Sequence, residues 1–225
     1  MKKLLLFLAF TSFGLSAQTS AEAYNQISNL VNDGIKKFNE KDNYGAIANY
    51  SKAVELIPYL NSPGYLASII YSNRALAKKA IGDYKNAIVD LDKALEAYGS
   101  DTNIKNYIFR GEMKLLLEDY YSAISDFSKV IKIDPKHNVA YLYRGNSKYI
   151  LNDYYGAIKD FTTVIKLNPS ESNTANTANI ANAYSYRGLS KEELGDDSGA
   201  CKDFKKGAEL GGDFHRKLQK LKECN

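Results

Sequence analysis

Asp119–Pro135 reads DYYSAISDFSKVIKIDP, and Asp153–Pro169 reads DYYGAIKDFTTVIKLNP. Eleven of these seventeen positions are identical, and the two copies are offset by 34 residues. The run ahead of each copy repeats as well: YIFRGEMK at Tyr107–Lys114 against YLYRGNSK at Tyr141–Lys148. Self-similarity at a fixed period of this length marks a row of small units. Each is too thin to bury its own apolar face, so neighbours bury it together. In each unit apolar residues recur at helical spacing over two stretches of about a dozen residues, a helix A and then a helix B.

Three more copies of the second stretch follow from the same alignment: DNYGAIANYSKAVELIP at Asp42–Pro58, DYKNAIVDLDKALEAYG at Asp83–Gly99, and DDSGACKDFKKGAELGG at Asp196–Gly212. Five repeats result, at 27–60, 68–101, 104–137, 138–171 and 181–212. The third and fourth abut. Insertions separate the first from the second, around the turn Asn61-Ser62-Pro63-Gly64, and the fourth from the fifth, over the polar segment 170–178. That segment reads as a short loop followed by a lengthened fifth helix A. After it all, Phe214, Leu218 and Leu221 form an apolar stripe with basic residues opposite, so 213–225 is expected to be a helix that caps the last repeat.

Composition agrees with packed helices. The chain of 225 residues is 44% hydrophobic and 25% charged, with eighteen tyrosines, four prolines and no tryptophan. The formal charge of +4 is spread evenly, without the basic stripe and interleaved aromatics that nucleic-acid binding requires. At the start, Lys2 and Lys3 precede an apolar run from Leu4 to Phe10, and Ser16-Ala17 then meets Gln18. A basic start, a short apolar core and small residues at its end describe a secretory signal peptide over 1–17, with 18–26 as a flexible lead-in. The apolar run is too short to span about 30 Å of hydrocarbon, so no membrane span is expected in the mature chain. The style resembles bacterial Sec signals and implies a periplasmic or secreted protein.

Small residues recur where helix A must cross helix B. The eighth place of the repeats holds Gly34, Ala75, Gly111, Gly145 and Gly188, and the twentieth holds Ala46, Ala87, Ala123, Ala157 and Ala200. Facing them in the twenty-fourth place are Tyr50, Leu91, Phe127, Phe161 and Phe204. Helix B ends at Pro58, Pro135 and Pro169, or at Gly99 and Gly212. This combined pattern, from about Ile27 to Phe214, resembles the tetratricopeptide repeat family, in its bacterial exported form. The resemblance implies an all-α fold, a right-handed α-solenoid of five helix-turn-helix repeats with a C-terminal capping helix. It also implies a protein-protein interaction scaffold, not an enzyme, that needs no cofactor and holds a peptide or a partner helix in a concave groove.

Carried over place by place, that groove would hold Val31, Ile35, Phe38, Ile69, Leu76, Lys79, Lys105, Ile108, Glu112, Leu142, Asn146, Tyr149, Leu189 and Glu192. Its middle is apolar and aromatic, and an exposed apolar strip of this kind marks a protein-binding surface. The family's clamp for carboxylate termini is mostly missing, because Val31, Ser72, Ile108 and Leu142 stand in one of its key places. Groove tyrosines could also stack on sugar rings, so an alternative is an accessory module of an envelope assembly that captures carbohydrate or another envelope polymer. No catalytic or metal-binding motif is present, and His137 and His215 have no ligand-spaced partners.

Two further expectations concern stability. The seventh place is Arg74, Arg110, Arg144 and Arg187 in four repeats, and the twenty-third is Asp90, Asp126, Asp160 and Asp203 in the same four. The first repeat has Asp33 and Asn49 there, so both change together. An antiparallel hairpin puts these places level, which predicts an Arg–Asp bridge between helices A and B in repeats two to five. Cys201 and Cys224 are the only cysteines. Helices turning at Gly211-Gly212 would bring them together as a disulfide, or leave a buried Cys201 beside an unrelated terminal thiol.

Overall fold

The structure, a computed structural model, describes residues 2–99, 103–167 and 174–211. Among them are ten α-helices and no strand: α1 Lys2–Asn39, α2 Asn43–Leu56, α3 Gly64–Ala80, α4 Tyr84–Tyr98, α5 Ile104–Leu116, α6 Tyr120–Ile133, α7 Asn138–Ile150, α8 Tyr154–Leu167, α9 Thr174–Glu193 and α10 Asp197–Glu209. The chain divides into two compact units, Met1–Asn106 and Tyr107–Asn225. No helix among the described residues is long and apolar enough to cross a membrane. The capping helix expected at 213–225 lies outside the described residues, as do Pro169, Gly212 and Cys224.

The five expected helix pairs are α1/α2, α3/α4, α5/α6, α7/α8 and α9/α10. Each A–B turn is built the same way. Lys41, Gly82, Glu118, Asn152 and Gly195 all take a positive φ between 60° and 80°. An aspartate follows each of them. Asp42, Asp119, Asp153 and Asp196 then accept a hydrogen bond from the backbone N–H three residues on, satisfying a donor that a helix start leaves unpaired. In the second turn Asp83 instead accepts from the Asn86 side chain. Helix B ends as expected after α6, two residues before Pro135, and after α4, where Gly99 turns to φ 87°. After α2 the chain continues into a single 3-10 turn, Ile57–Tyr59, with Pro58 inside it.

Left-handed backbone is costly for a residue with a Cβ, by about 1–2 kcal/mol, and asparagine tolerates it better than most. Glu118→Gly is therefore expected to raise stability by about 0.5–1 kcal/mol after the extra chain entropy of glycine is deducted. Asn152→Gly should change it by less. Paired thermal melts of the two variants check the ranking.

One expectation is corrected. Residues 18–26 are not a loose lead-in: they are helical, part of α1, and Ala23 is 5% exposed while Ile27 is fully buried. Apolar spacing across Ala23, Ile27 and Val31 gives this stretch a core face of its own. The fifth helix A is lengthened as expected: it begins at Thr174, seven residues ahead of the repeat boundary at 181.

The cores are local to each helix group. Ile27, Val31, Ala46, Tyr50, Ala53, Ile70 and Ala77 join α1, α2 and α3 in the first unit. Leu142, Ala157, Phe161, Val164 and Ala183 join α7, α8 and α9 in the second. The glycines of the eighth place sit directly against the rings of the twenty-fourth. A Cβ at Gly34, Gly111, Gly145 or Gly188 would come within 2.5–2.8 Å of Tyr50, Phe127, Phe161 or Phe204. Repeat two carries Ala75 and the smaller Leu91 at the same places, so the pair keeps a similar combined volume.

The expected ion pairs are present in all four repeats, and each is larger than expected. Nε and Nη2 of Arg74, Arg110, Arg144 and Arg187 donate to both oxygens of Asp90, Asp126, Asp160 and Asp203 at 2.5–3.0 Å. A lysine one helical turn further along helix A (Lys78, Lys114, Lys148, Lys191) reaches the same carboxylate at 2.7–2.8 Å. A tyrosine three residues earlier (Tyr71, Tyr107, Tyr141, Tyr184) lies 5.3–5.6 Å from the guanidinium. The remaining guanidinium nitrogen of Arg74, Arg144 and Arg187 donates to Ser51, Ser128 or Thr162 on the preceding helix B. Each aspartate is buried, so three N–H donors, two from the arginine and one from the lysine, replace the water it loses. The first repeat lacks this cluster, and its Lys37 pairs at the surface with Asp42 instead.

Candidate functional site

The residues expected to line a groove fall into two groups. Ile35, Phe38, Ile69, Leu76, Lys79, Ile108, Glu112, Asn146, Tyr149, Leu189 and Glu192 are exposed or half-buried, and Lys105 is exposed. Val31 and Leu142 are not open to a ligand: at 8% and 7% exposure they belong to the two cores. Their place on helix A is turned into the neighbouring helices, which apolar side chains there favour. Tyr149 is half covered by Tyr154 and Tyr186, with ring centroids 5.8 and 5.9 Å away, and burial pushes its phenol above the ordinary value.

In the first unit the structure brings two of these residues, Ile69 and Lys105, together around a cavity of about 350 Å³. Its other walls are Tyr65, Ser68, Ser72 and Asn73 from α3, Tyr98 from the end of α4, and Asn103 and Asn106 at the start of α5. Among the described residues no carboxylate lines it. Tyr65 and Tyr98 meet edge to face at 5.0 Å and 62°, and both rings are largely exposed. The polar side is a connected set. Asn103 Oδ1 accepts from the Asn106 backbone N–H at 3.3 Å, which caps α5, and its Nδ2 donates to Ser68 Oγ at 3.3 Å. Ser72 Oγ lies 2.7 Å from the Ser68 carbonyl and 2.8 Å from Asn106 Oδ1. Asn106 is 2% exposed, and among the described residues its amide nitrogen has no hydrogen-bond partner.

Sequence reasoning placed Ile69 and Lys105 here but missed the tyrosines and the amides. Tyr65 lies in the part of α3 that precedes the repeat, Tyr98 at the far end of a helix B, and Asn103 before the third repeat begins. The available signal was Asn103-x-x-Asn106, a helix-starting asparagine followed three residues on by a second amide in helix A. Cys201, for which a bridge to Cys224 and a buried thiol both stood open, is not a free thiol but disulfide-bonded; Cys224 lies outside the described residues.

Comparison with known proteins bears on the fold around this cavity. A family model described as Tetratricopeptide repeat matches residues 69–101 and 104–137. Small glutamine-rich tetratricopeptide repeat-containing protein 2 of Mycosarcoma maydis is 34% identical over 121 residues, which is 53% of this chain. The chain covers only 32% of that relative's length. The crystal structure of MamA protein is 22% identical and superposes with a TM-score of 0.70, covering 86% of this chain and 94% of that one. YrrB, whose crystal structure is described as "a TPR protein with an unusual peptide-binding site", is 19% identical with a TM-score of 0.70, covering 86% and 90%. At these identities the structural likeness speaks for the fold alone. The second and third helix pairs match the tetratricopeptide repeat, and the all-helical fold they sit in is like that of the solved tetratricopeptide-repeat protein YrrB.

Proposed function

We propose that this protein is an exported, non-enzymatic scaffold that binds an extended peptide segment of a partner protein through its A helices. The observation that carries the reading is the cavity of the first unit, where the expected groove residues Ile69 and Lys105 stand beside exposed tyrosines and a buried amide. Preformed helices leave the ordering cost with the peptide, which suits a binding module more than a catalyst. YrrB, a solved protein of the same fold, is described as peptide-binding. Selection of random twelve-residue peptides on the purified protein tests it. Enriched peptides should bind with micromolar affinity and lose most of it on Tyr65→Ala plus Ile69→Ala; a library that yields no enriched sequence contradicts the reading.

A second reading has its own observation. Tyr44, Tyr121 and Tyr155 occupy the same place on helix B in repeats one, three and four, and are 73–77% exposed. Aromatic platforms of this kind can stack on sugar rings, so the carbohydrate alternative predicts glycan-array signals that disappear when these three tyrosines become alanine.

Export rests on the basic start and short apolar run of residues 2–17. Protein recovered from outside the cytoplasm should begin near Gln18 by N-terminal sequencing. Removing residues 1–17 should leave the melting temperature unchanged. Removing 1–27 deletes Ala23 and Ile27 from the core and should cost roughly 2–5 kcal/mol, visible as a lowered melting temperature.

A further inference from the structure

We propose that Asn106 is the recognition residue of the first unit's cavity, and that its amide grips the backbone N–H and C=O of one residue in an extended, uncharged stretch of the bound segment. This rests on the peptide-binding reading above. A buried polar atom without a partner is costly, and native proteins retain few of them. Here the residue that carries the atom lines a cavity of about 350 Å³, together with Asn73, Asn103, Ser68 and Ser72.

The chemistry of the missing partner follows from the protons available. Ser72 has one hydroxyl proton and two acceptors in reach, the Ser68 carbonyl and Asn106 Oδ1. If the proton goes to Asn106, the amide nitrogen is left to donate elsewhere. If it goes to the Ser68 carbonyl, the Asn106 amide turns over, its nitrogen donates to Ser72 Oγ, and its oxygen is left to accept. A ligand group that carries a donor and an acceptor side by side satisfies either arrangement. One residue of an extended peptide does so, because its own N–H and C=O lie on the same edge of the backbone and can pair with a carboxamide through two parallel hydrogen bonds, whereas those of a single trans peptide group point apart. Among the described residues no carboxylate lines the cavity to select a cationic ligand. Tyr65 and Tyr98 meet at 62°, so they offer no pair of parallel faces to sandwich a sugar ring, whereas side chains flanking a peptide group can rest on them one at a time.

The test separates recognition from architecture. Asn106→Leu removes the unmatched amide and leaves Ser72 its bond to the Ser68 carbonyl. A structural asparagine would lose melting temperature on this change. A recognition residue should keep or gain it, since a buried polar group without a partner is replaced by an apolar one. Peptides enriched on the wild-type protein should bind Asn106→Leu at least about tenfold more weakly. In a ¹⁵N spectrum the side-chain amide signals of Asn106, identified by their loss in Asn106→Leu, should shift saturably with N-acetyl-trialanine amide and not with methyl β-glucoside.

Enriched peptides that bind wild type and Asn106→Leu alike would overturn the inference and leave peptide binding standing. Failure to enrich any peptide would remove both. A response to the glucoside alone would assign the cavity to sugars. A signal that exchanges with solvent but ignores every probe would show a site for bound water only, and either result overturns the proposal. A fall in melting temperature without loss of affinity would make Asn106 a structural residue.

Discussion

Asp160→Ala is expected to lower the stability of the second unit by about 3–5 kcal/mol, and its melting temperature by about 10 °C or more. The carboxylate is almost wholly buried and holds Arg144 through two hydrogen bonds of 2.8 and 2.7 Å, and Lys148 through one of 2.8 Å. Removing it leaves two cations side by side with no counter-charge in a mostly dry site. Arg144 also donates to Ser128 on α6, so the loss extends to the neighbouring repeat. The exposed pair Lys206–Glu209 supplies the contrast, because its side chains are 45% and 63% exposed. Lys206→Ala should fall within about 0.5 kcal/mol of the parent. Hydrogen exchange on Asp160→Ala should show the loosening concentrated in α7 and α8, since stacked repeats share stability mainly with their neighbours.

Gly145→Ala sets two effects of opposite sign against each other. Alanine in a helix interior is favoured over glycine by about 1 kcal/mol. At this position a Cβ would stand 2.8 Å from the Phe161 ring, which is fully buried and cannot swing into solvent. Overpacking of that kind costs about 1–3 kcal/mol, so the net result should be a loss of up to about 2 kcal/mol. The protein already holds the compensated pair in repeat two, Ala75 with Leu91. Phe161→Leu should therefore restore part of the loss in the Gly145→Ala background, although alone it leaves a cavity and destabilises. A double-mutant cycle by chemical denaturation measures the coupling, expected at about 1 kcal/mol or more in the favourable direction.

These two devices were legible because the period is its own ruler. Aligning copies at 34 residues puts Arg144 with Arg110 and Gly145 with Gly111, and a hairpin with its turn midway leaves little choice of partner. Even so, the lysine of each cluster was overlooked, though Lys78, Lys114, Lys148 and Lys191 each stand one helical turn after the arginine. Burial of the first residues was missed because 18–26 precede the first copy of the pattern. The candidate site was legible only at Ile69 and Lys105. Its remaining residues come from the irregular joint between repeats two and three, where two residues exceed the period and no other copy exists to align. Val31 and Leu142 were misplaced for the opposite reason: a position shared by every repeat was given one role, while the neighbours around each copy decide whether it is open.

In the proposed binding mode, peptide lies on the helix A side of the first unit, at its cavity. Hydrogen exchange of the purified protein, with and without a saturating peptide enriched on it, tests this directly. Added protection is expected in α3 and at the start of α5, over 64–80 and 103–108, with α2 and α4 little changed before Tyr98. Protection confined to the B helices, or none anywhere despite saturation, would contradict it.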